Sequence, residues 1–265
     1  MAAATQALLD LHRVKSQITT HAPGKKLALT EYGIFPRDSF NFDDPLDIDE
    51  KGAEYSNLAK ALYDADLLMG LINQFDPKDI AAATAWNLYS NMVESAYIYW
   101  NGTIRPQYYA LEMLRKLQPA VWLQTTIPNQ NSTFTFKIEK KVGNVRPYTD
   151  PEGVPPVDCL AAVASRNSNN DRLTLVVINR DLDRSITATI QLPSGSSGFT
   201  PSSAAGVQKK TELAYEANGG DLKNAHNETP GDNERVKSLE TYFTWTAEKV
   251  YTFPKHSLTL FEFTK

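Results

Sequence analysis

Cysteine is nearly absent from this chain of 265 residues, which contains only Cys159. A single cysteine excludes a disulfide within the chain. Cys159 directly precedes the apolar run Leu160–Val163, so we expect a buried thiol there and not a nucleophile.

Long apolar runs and an excess of basic charge are also missing. No stretch approaches the roughly 18 consecutive apolar residues that a membrane-spanning helix needs. The opening segment Met1–Asp10 has no basic flank, so we expect no secretory signal and favour the cytoplasm. The chain has 27 lysines and arginines against 31 aspartates and glutamates, a net charge of −4, and its densest basic runs are short pairs such as Lys25-Lys26 and Lys209-Lys210. We therefore expect no membrane and no nucleic-acid partner.

Motifs that bind metals or phosphates are absent as well. The sequence contains neither a GxxxxGK nor a GxGxxG pattern. Its four histidines lack the spacing of metal ligands and have no cysteine partner: His12, His21, His226 and His256. We expect neither a metal nor a cofactor.

The first part of the chain carries helical periodicity interrupted by two short strand-like runs. Apolar residues repeat at three-four spacing over 8–18, 55–72 and 106–117, which predicts three helices. Leu27–Thr30 is typical of a buried parallel strand. Ile80–Trp86 is a second candidate strand, although an alanine-rich helix is the alternative. The order helix, strand, helix, strand, helix indicates an α/β unit with parallel strands.

The second part of the chain consists of short alternating segments separated by turn residues. Such segments are Phe134–Ile138, Ile186–Leu192 and Leu258–Phe263, and the more continuous apolar run Leu173–Ile178 lies between them. They predict an antiparallel β-sandwich over residues 120–265. A complete (β/α)8 barrel takes about 250 residues, so residues 1–119 form at most a partial one. The predicted fold class is α/β plus all-β, a partial (β/α)8-type barrel segment followed by an antiparallel sandwich.

The sharpest candidate for chemistry is Glu31, a carboxylate at the exit of the first strand, two residues before Gly33. In parallel α/β folds the carboxyl ends of the strands face the active site, which favours a functional role. The alternative is a structural acid that caps the next loop or pairs with Arg37.

Further segments follow Glu31 in a recognisable order. Ala83–Leu88 contains Trp86 after a small-residue strand, and Pro106–Leu114 begins a helix. The sandwich region adds Leu175–Asp181, Asn233–Val236 and Pro254–Leu260. Together these segments resemble the last part of clan A glycoside hydrolases, in which the nucleophilic glutamate ends the seventh barrel strand. Within that clan the chain is most similar to family 51, the α-L-arabinofuranosidases.

The resemblance implies a retaining mechanism with two carboxylates about 5 Å apart. Glu31 matches the nucleophile. Trp86 matches a tryptophan that faces the substrate, and an indole can stack on the apolar face of a sugar, with simple core filling as the alternative. Tyr32 is a candidate to hydrogen-bond the nucleophile or to pack beside it.

The second carboxylate has no clear match. In complete members of the family the acid/base glutamate follows an asparagine at the end of the fourth strand, and that half of the barrel is absent here. Asn227-Glu228 and Asn233-Glu234 spell the same dipeptide, but no apolar strand precedes them, so we reject both. Glu94 lies shortly after the second strand and is the candidate substitute, without support from a family motif.

The sequence therefore predicts a retaining glycosidase, or a truncated derivative, that acts on arabinofuranosyl or related plant-polysaccharide linkages. The alternative is a non-catalytic remnant that binds carbohydrate. Two barrel strands without neighbours leave unpaired edges and three partly uncovered helices, which soluble proteins avoid. We therefore expect a homo-oligomer or a second chain that complements this one.

Overall fold

A computed structural model describes residues 2–32, 58–85, 87–90, 96–99, 102–117, 121–127, 133–134, 157–181, 183–192, 198–214, 236–246 and 248–265. The helices in these ranges are α1 (Ala2–His21), α2 (Leu58–Gln74) and α3 (Pro106–Arg115), with a 3₁₀ turn at Pro77–Asp79. The strands are β1 (Leu27–Tyr32), β2 (Ile80–Ala85), β3 (Asn87–Ser90), β4 (Ala96–Tyr99), β5 (Val121–Leu123), β6 (Thr133–Phe134), β7 (Val157–Asp158), β8 (Leu160–Arg166), β9 (Arg172–Asn179), β10 (Ile186–Ile190), β11 (Gln208–Leu213), β12 (Leu239–Phe243), β13 (Lys249–Phe253) and β14 (Ser257–Thr264).

The first part of the chain is a strand–helix–strand unit. β1 and β2 pair in parallel, and α2 lies between them in the chain. The segment 80–85 is thus a strand, which confirms the strand interpretation over the alanine-rich helix. α1 packs on α2 through a cluster that includes Leu8, Leu67 and Leu71. Only one side of β1 is covered, because Leu27 is buried whereas Ala28 and Thr30 are exposed, so the expectation of a fully buried strand was wrong.

The second part of the chain is built on a six-stranded antiparallel sheet with the strand order β12-β11-β14-β9-β8-β5. One face of this sheet packs on the antiparallel pair β10–β13. Aromatic rings fill the space between the two layers: Phe199, Trp245, Phe253, Phe261 and Phe263 are all buried. The Trp245 and Phe263 rings meet edge to face at 5.1 Å, a favoured aromatic geometry. This layered arrangement agrees with the predicted sandwich.

The other face of the six-stranded sheet packs against α2 and α3. One hydrophobic core joins Leu62 and Met69 of α2 and Met113 of α3 to Val176 and Leu260 of the sheet. The helix faces expected to lie partly uncovered are therefore buried for α2 and α3, because the sheet covers them. This core contains residues from both sides of position 119/120, where the boundary between two domains stays a prediction.

The segment Asn179–Asp181 forms polar contacts within the sandwich and with α2. The Asn179 side chain donates to the carbonyl oxygens of Phe253 and Pro254 at 3.2 and 2.9 Å. Arg180 forms an ion pair with the buried Asp66 of α2. Asp181 accepts hydrogen bonds from the backbone amides of residues 183 and 184, both at 2.9 Å. This motif, which carries part of the sequence resemblance, thus has a structural role.

Other sequence expectations have mixed outcomes. Cys159 is fully buried, which confirms the prediction of an interior thiol. Its thiol donates to the Asp181 carboxylate at 3.4 Å, and burial is the main cause of the raised pKa of Cys159. Most of the predicted strand Phe134–Ile138 lies outside the described residues. Among the described helices, none combines the length and the apolar character that crossing a membrane requires.

Candidate active site

Glu31 lies at the carboxyl end of β1, next to the carboxyl end of β2. The parallel register places Leu29 opposite Ala83 and Tyr32 opposite Ala85. Both strands therefore end at one edge of the small sheet, which is where parallel α/β folds hold their active sites.

A β-bulge sets the direction of Glu31. Between the pairs Leu29–Ala83 and Tyr32–Ala85, two residues of β1 lie opposite the single residue Thr84 of β2. Leu29 and Tyr32 both pack towards the α1–α2 core, whereas Thr30 and Glu31 are both exposed. Bulges re-aim side chains in this way. In a closed barrel the face away from the helices is the interior, and Glu31 lies on that face.

Thr84 ties the bulge to β2. Its hydroxyl donates to the carbonyl oxygen of Thr30 and lies 3.5 Å from that of Leu29. These contacts satisfy backbone acceptors at the point where the bulge disturbs the regular ladder. The carboxyl end of β1 is therefore held by a side chain as well as by the strand pairing.

Near the carboxyl end of β1, two polar side chains meet in the interior of the protein. The Tyr97 hydroxyl donates to Oδ2 of Asp64 at 3.1 Å. Tyr97 belongs to β4 and Asp64 to α2, so this hydrogen bond links a strand to a helix. Tyr32, at the end of β1, is close enough to both residues for them to affect the pKa of its phenol.

Burial shifts the pKa values of Asp64 and Tyr97. Asp64 is only 3% exposed and Tyr97 only 2%. Burial raises the pKa of Asp64 to about 7, although Lys60 and the Tyr97 hydrogen bond act in the opposite direction. Burial also raises the pKa of Tyr32 and that of Tyr97. Both phenols therefore stay neutral hydrogen-bonding groups at ordinary pH.

Neither Asp64 nor Tyr97 was predicted from the sequence as a site residue. A signal was nevertheless present, because Lys60, Asp64 and Asp66 interrupt an otherwise apolar helix. All three are buried, and buried charged residues are rare unless they have partners. Polar residues in a helix with such apolar surroundings indicate an interior polar network.

Two of the four candidate site residues lie outside the described part of the chain. Trp86 directly follows Ala85, the partner of Tyr32 in the register, and Glu94 lies between β3 and β4. Their roles stay predictions. Of the histidines, His12 stacks on Phe75 with ring centroids 4.3 Å apart, and His256 is buried. The described ranges contain no group of three or more histidine, cysteine, aspartate or glutamate side chains placed to hold a metal ion.

Comparison with known proteins finds similarity in structure but not in sequence. No protein-family model matches the chain, and no curated protein matches it. The family 51 α-L-arabinofuranosidase of Thermotoga petrophila RKU-1 superimposes with a TM-score of 0.71 at 18% identity, over 99% of this chain and 49% of that one. The α-L-arabinofuranosidase of Thermotoga maritima, solved as an arabinose complex, gives the same TM-score and identity over 100% and 49%. A family 51 enzyme of Bifidobacterium longum gives 0.65 at 19% identity, over 99% and 47%.

These superpositions define the class of fold. The chain has the architecture of the C-terminal half of a glycoside hydrolase, a barrel fragment followed by a β-sandwich, and it spans about half the length of each of these three structures. Within that class its fold is that of the family 51 α-L-arabinofuranosidases. The resemblance inferred from the sequence is thereby confirmed for the fold.

Proposed function

We propose that this chain is the nucleophile-bearing part of a retaining glycoside hydrolase that acts on arabinofuranosyl or related plant-polysaccharide linkages. The observation that supports this proposal is the placement of Glu31. Its carboxylate is exposed on a bulge at the carboxyl end of a parallel strand, on the side away from the helices.

In the proposed reaction, an oxygen of Glu31 forms a bond to the anomeric carbon while the bond from that carbon to the leaving group breaks. A second carboxylic acid gives its proton to the leaving oxygen. The resulting carboxylate then takes a proton from water, and the water oxygen displaces Glu31 and releases the sugar. Two inversions at the anomeric carbon give net retention.

The two aromatic candidates have different proposed roles. Trp86 follows the end of β2, and its indole would stack on the apolar face of the bound sugar. Tyr32 packs towards the helices, which supports a role beside the nucleophile and not one in direct contact with the reacting atoms.

The second carboxylate has two possible sources. One is Glu94, which follows β3 along the chain. The other is a further part of the barrel, from a second copy of this chain, from another chain, or from a longer polypeptide. Within the described residues β1 and β2 pair only with each other, and their exposed face includes Ala28, Thr30 and Thr84. More strands are needed to close a barrel around this face.

A covalent-labelling experiment tests the nucleophile without needing the acid. The reagent is a 2-deoxy-2-fluoro arabinofuranoside of dinitrophenol. Its dinitrophenolate departs without protonation, and the fluorine slows hydrolysis of the ester intermediate. We expect the intact mass to rise by one fluorosugar, with the label on the peptide that contains Glu31. Glu31→Gln should abolish labelling, and the exposed-site control Glu248→Gln should not. Label on another carboxylate would contradict the assignment.

The acid/base role of Glu94 has its own test. If Glu94 supplies the proton, Glu94→Gln should slow aryl glycosides with poor leaving groups far more than activated ones. Equal losses across a series of leaving groups would remove Glu94 from that role.

The alternative function is a non-catalytic module that binds carbohydrate. This alternative is favoured because only one of the two carboxylates that a retaining glycosidase needs has been identified. In that case calorimetry should detect binding of arabino-oligosaccharides by wild type and by Glu31→Gln with similar affinity, while the fluorosugar leaves both proteins unlabelled. Covalent labelling of wild type would exclude this alternative.

Light scattering of the purified chain tests the proposed assembly. A dimer or larger species, or a stable complex with a separately expressed barrel half, would support completion by another chain. A compact monomer that the fluorosugar labels would show that the nucleophile works without a second chain.

A further inference from the structure

A row of polar side chains crosses the six-stranded sheet on the face that carries the helices. Its members occupy directly opposed positions on four neighbouring strands: Tyr242 on β12, Lys209 on β11, Glu262 on β14 and Thr174 on β9. Side chains at directly opposed positions lie on the same face of a sheet. The Thr174 hydroxyl donates to the carbonyl oxygen of Lys116 at 3.4 Å, so the row runs along the C-terminal end of α3.

This row lines a cleft in the sandwich. The cleft has a volume of about 240 Å³, and its wall also includes Arg172 and Thr264, the next opposed pair along β9 and β14. Pockets that enclose drug-sized ligands have about 300–1,000 Å³, so this one accommodates a small unit and not a large cofactor. The described residues that line it belong to the sandwich part of the chain, which makes the cleft separate from the site of Glu31.

A connected set of hydrogen bonds and ion pairs holds the polar groups at the cleft. The Tyr242 hydroxyl donates to Oε1 of Glu240 at 3.2 Å. Nζ of Lys209 lies 3.2 Å from Oε2 of Glu240 and 2.8 Å from Oε2 of Glu262. These contacts exist within the chain alone. The groups are therefore arranged before a ligand arrives, and such preorganisation lowers the entropic cost of binding.

Tyr242 adds an aromatic surface to these polar groups. Its side chain is 62% exposed, although the hydrogen bond to Glu240 fixes its hydroxyl end. Tyrosine supplies a large, rigid contact area at a low cost in conformational entropy. A sugar ring has an apolar C–H face and polar hydroxyls around its rim. An exposed ring beside fixed donors and acceptors matches both parts of that chemistry.

The charges at the cleft favour an uncharged ligand. Among the described residues there, the cations Arg172 and Lys209 are balanced by the carboxylates Glu240 and Glu262. Binding partners with strong charge are recognised by surfaces of the opposite sign. A cleft with balanced charges offers many hydrogen bonds but no net attraction for a phosphate or a uronate.

We propose that this cleft binds one unit of a neutral oligosaccharide, which stacks on Tyr242 and is hydrogen-bonded by Lys209 and Glu262. The site would hold a polysaccharide chain on the sandwich independently of the chemistry at Glu31. Only the choice of plant oligosaccharides as probes rests on the proposed function. The cleft itself is a property of the sheet.

Calorimetry on the whole chain tests the site, with Glu31→Gln as the common background so that no probe is hydrolysed. The probes are arabinopentaose and xylopentaose. We expect at least one to bind, Tyr242→Ala to weaken that binding at least about tenfold, and Tyr242→Phe, which keeps the ring, to stay within about threefold. The control is Leu239→Ala, an exposed residue of the same strand on the opposite face. Binding of neither probe, or a Tyr242→Ala affinity within about twofold, would overturn the proposal.

Oxidative footprinting locates the bound sugar. Hydroxyl radicals modify exposed aromatic side chains, and Tyr242 is exposed. We expect a saturating concentration of the binding pentasaccharide to slow oxidation of Tyr242 at least about threefold, because a stacked sugar covers the ring. Unchanged oxidation of Tyr242 at saturation would place the sugar elsewhere and overturn the proposal.

An anionic probe tests the chemical class of the ligand. We expect the neutral pentasaccharide to bind with an affinity that changes less than about twofold between about 0.05 and 0.5 M sodium chloride, because screening acts on net charge. Pentagalacturonate should bind more weakly. Tighter binding of that anion, lost at high salt, would overturn the assignment to a neutral sugar.

Covalent labelling by the fluorosugar separates this cleft from the catalytic proposal. In the background with Glu31 intact, Tyr242→Ala should be labelled at a rate within about twofold of wild type, because the cleft is remote from the nucleophile in the fold. A labelling rate at least about tenfold lower would overturn the independence of the two sites. If wild type is not labelled at all, the proposed function fails, whereas calorimetry and footprinting still decide whether the cleft binds sugar.

Discussion

Arg180 holds Asp66 across the junction between α2 and the sandwich. Its Nε lies 3.0 Å from Oδ1 and 3.1 Å from Oδ2 of Asp66, and Nη2 lies 2.6 Å from Oδ1. The two residues are 114 positions apart in the sequence, and the Asp66 side chain is only 1% exposed. The guanidinium also donates to the carbonyl oxygen of Asp158 at 3.1 Å. One charged pair thus joins the helical part of the chain to the sandwich.

Breaking this pair from one side should destabilise the protein strongly. We expect Arg180→Met to lower the free energy of unfolding by about 3 kcal/mol, because the Asp66 carboxylate stays buried without its partner. The double variant Asp66→Leu with Arg180→Met should recover much of that loss. Urea unfolding measures both. The control is Lys78→Ala, which removes the exposed ion pair with Asp76 but keeps the Asp76 carboxylate on the backbone amide of residue 78, and it should have little effect on stability. Equal losses in the single and double variants would contradict the explanation.

The close approach of α1 to α2 gives a second prediction. A Cβ added at Gly70 would lie 2.9 Å from Cδ2 of Leu8 and closer still to Cδ1. Gly70→Ala should therefore destabilise the protein by about 1–3 kcal/mol, although alanine usually favours a helix. In a Leu8→Ala background the same change should become neutral or stabilising. A chemical-unfolding cycle of the four proteins checks this, and a stabilising Gly70→Ala in wild type would refute the contact.

Asp64 should make stability depend on pH in a defined direction. Its pKa rises from 3.8 to about 7 on folding, mainly through burial. The folded state therefore resists ionisation, so the contribution of Asp64 is fully present below about pH 4 and is lost as the pH rises through 7. Relative to wild type, Asp64→Asn should be on the order of 3 kcal/mol more favourable at pH 8 than at pH 4. The exposed Asp183→Asn is the control, and an identical trend there would contradict the assignment.

Glu31→Gln should lower turnover while leaving the thermal stability nearly unchanged. The side chain is exposed, so we expect the thermal midpoint to move by less than about 2 °C. An amide cannot form the glycosyl ester, and turnover should fall at least about a thousandfold. If the proposed function holds, scanning calorimetry and an aryl-arabinofuranoside assay of the purified protein check the two parts. Near-wild-type turnover would remove Glu31 from the mechanism.

The predicted boundary at residue 119/120 has a direct test. A chain of residues 120–265 would lose the helices that cover Val176, Ile178 and Leu260, and it would expose a large apolar face. We expect this fragment to aggregate or to bind a hydrophobic dye, whereas the whole chain does neither. A monomeric, cooperatively unfolding fragment would instead show that the sandwich is an independent domain.

Local patterns were sufficient for the elements with clear periodicity. The spacing in α2 and the proline that opens α3 predicted both helices, and the alternation around Leu260 predicted β14. The run Leu173–Ile178 is apolar on both sides, which is typical of a strand covered on both faces. The structure agrees, since β9 lies in a sheet between the aromatic layer and the helices, but the sequence analysis expected the helix faces to lie partly uncovered.

Long-range relationships had no local signal. Alanine is frequent in helices, so only pairing with β1 determines that Ile80–Ala85 is a strand. The bulge at Thr30 and Glu31 contains no glycine and arises from the register of two strands. The buried hydrogen bond from Tyr97 to Asp64 joins two residues that no spacing rule connects. The candidate nucleophile could therefore be predicted from the sequence, but the side chains that hold its strand could not.

The position of β14 has a consequence for the order of events during synthesis. This strand lies between β11 and β9 near the middle of the six-stranded sheet, and α2 packs on the sheet that it completes. The ribosome releases α2 almost two hundred residues before Ser257–Thr264 emerges. Until then the apolar face of α2 has no complete surface to cover it, and β9 lacks one of its two neighbours. Nascent chains in this interval are thus expected to bind holding chaperones, and the collapse of the six-stranded sheet waits for β14.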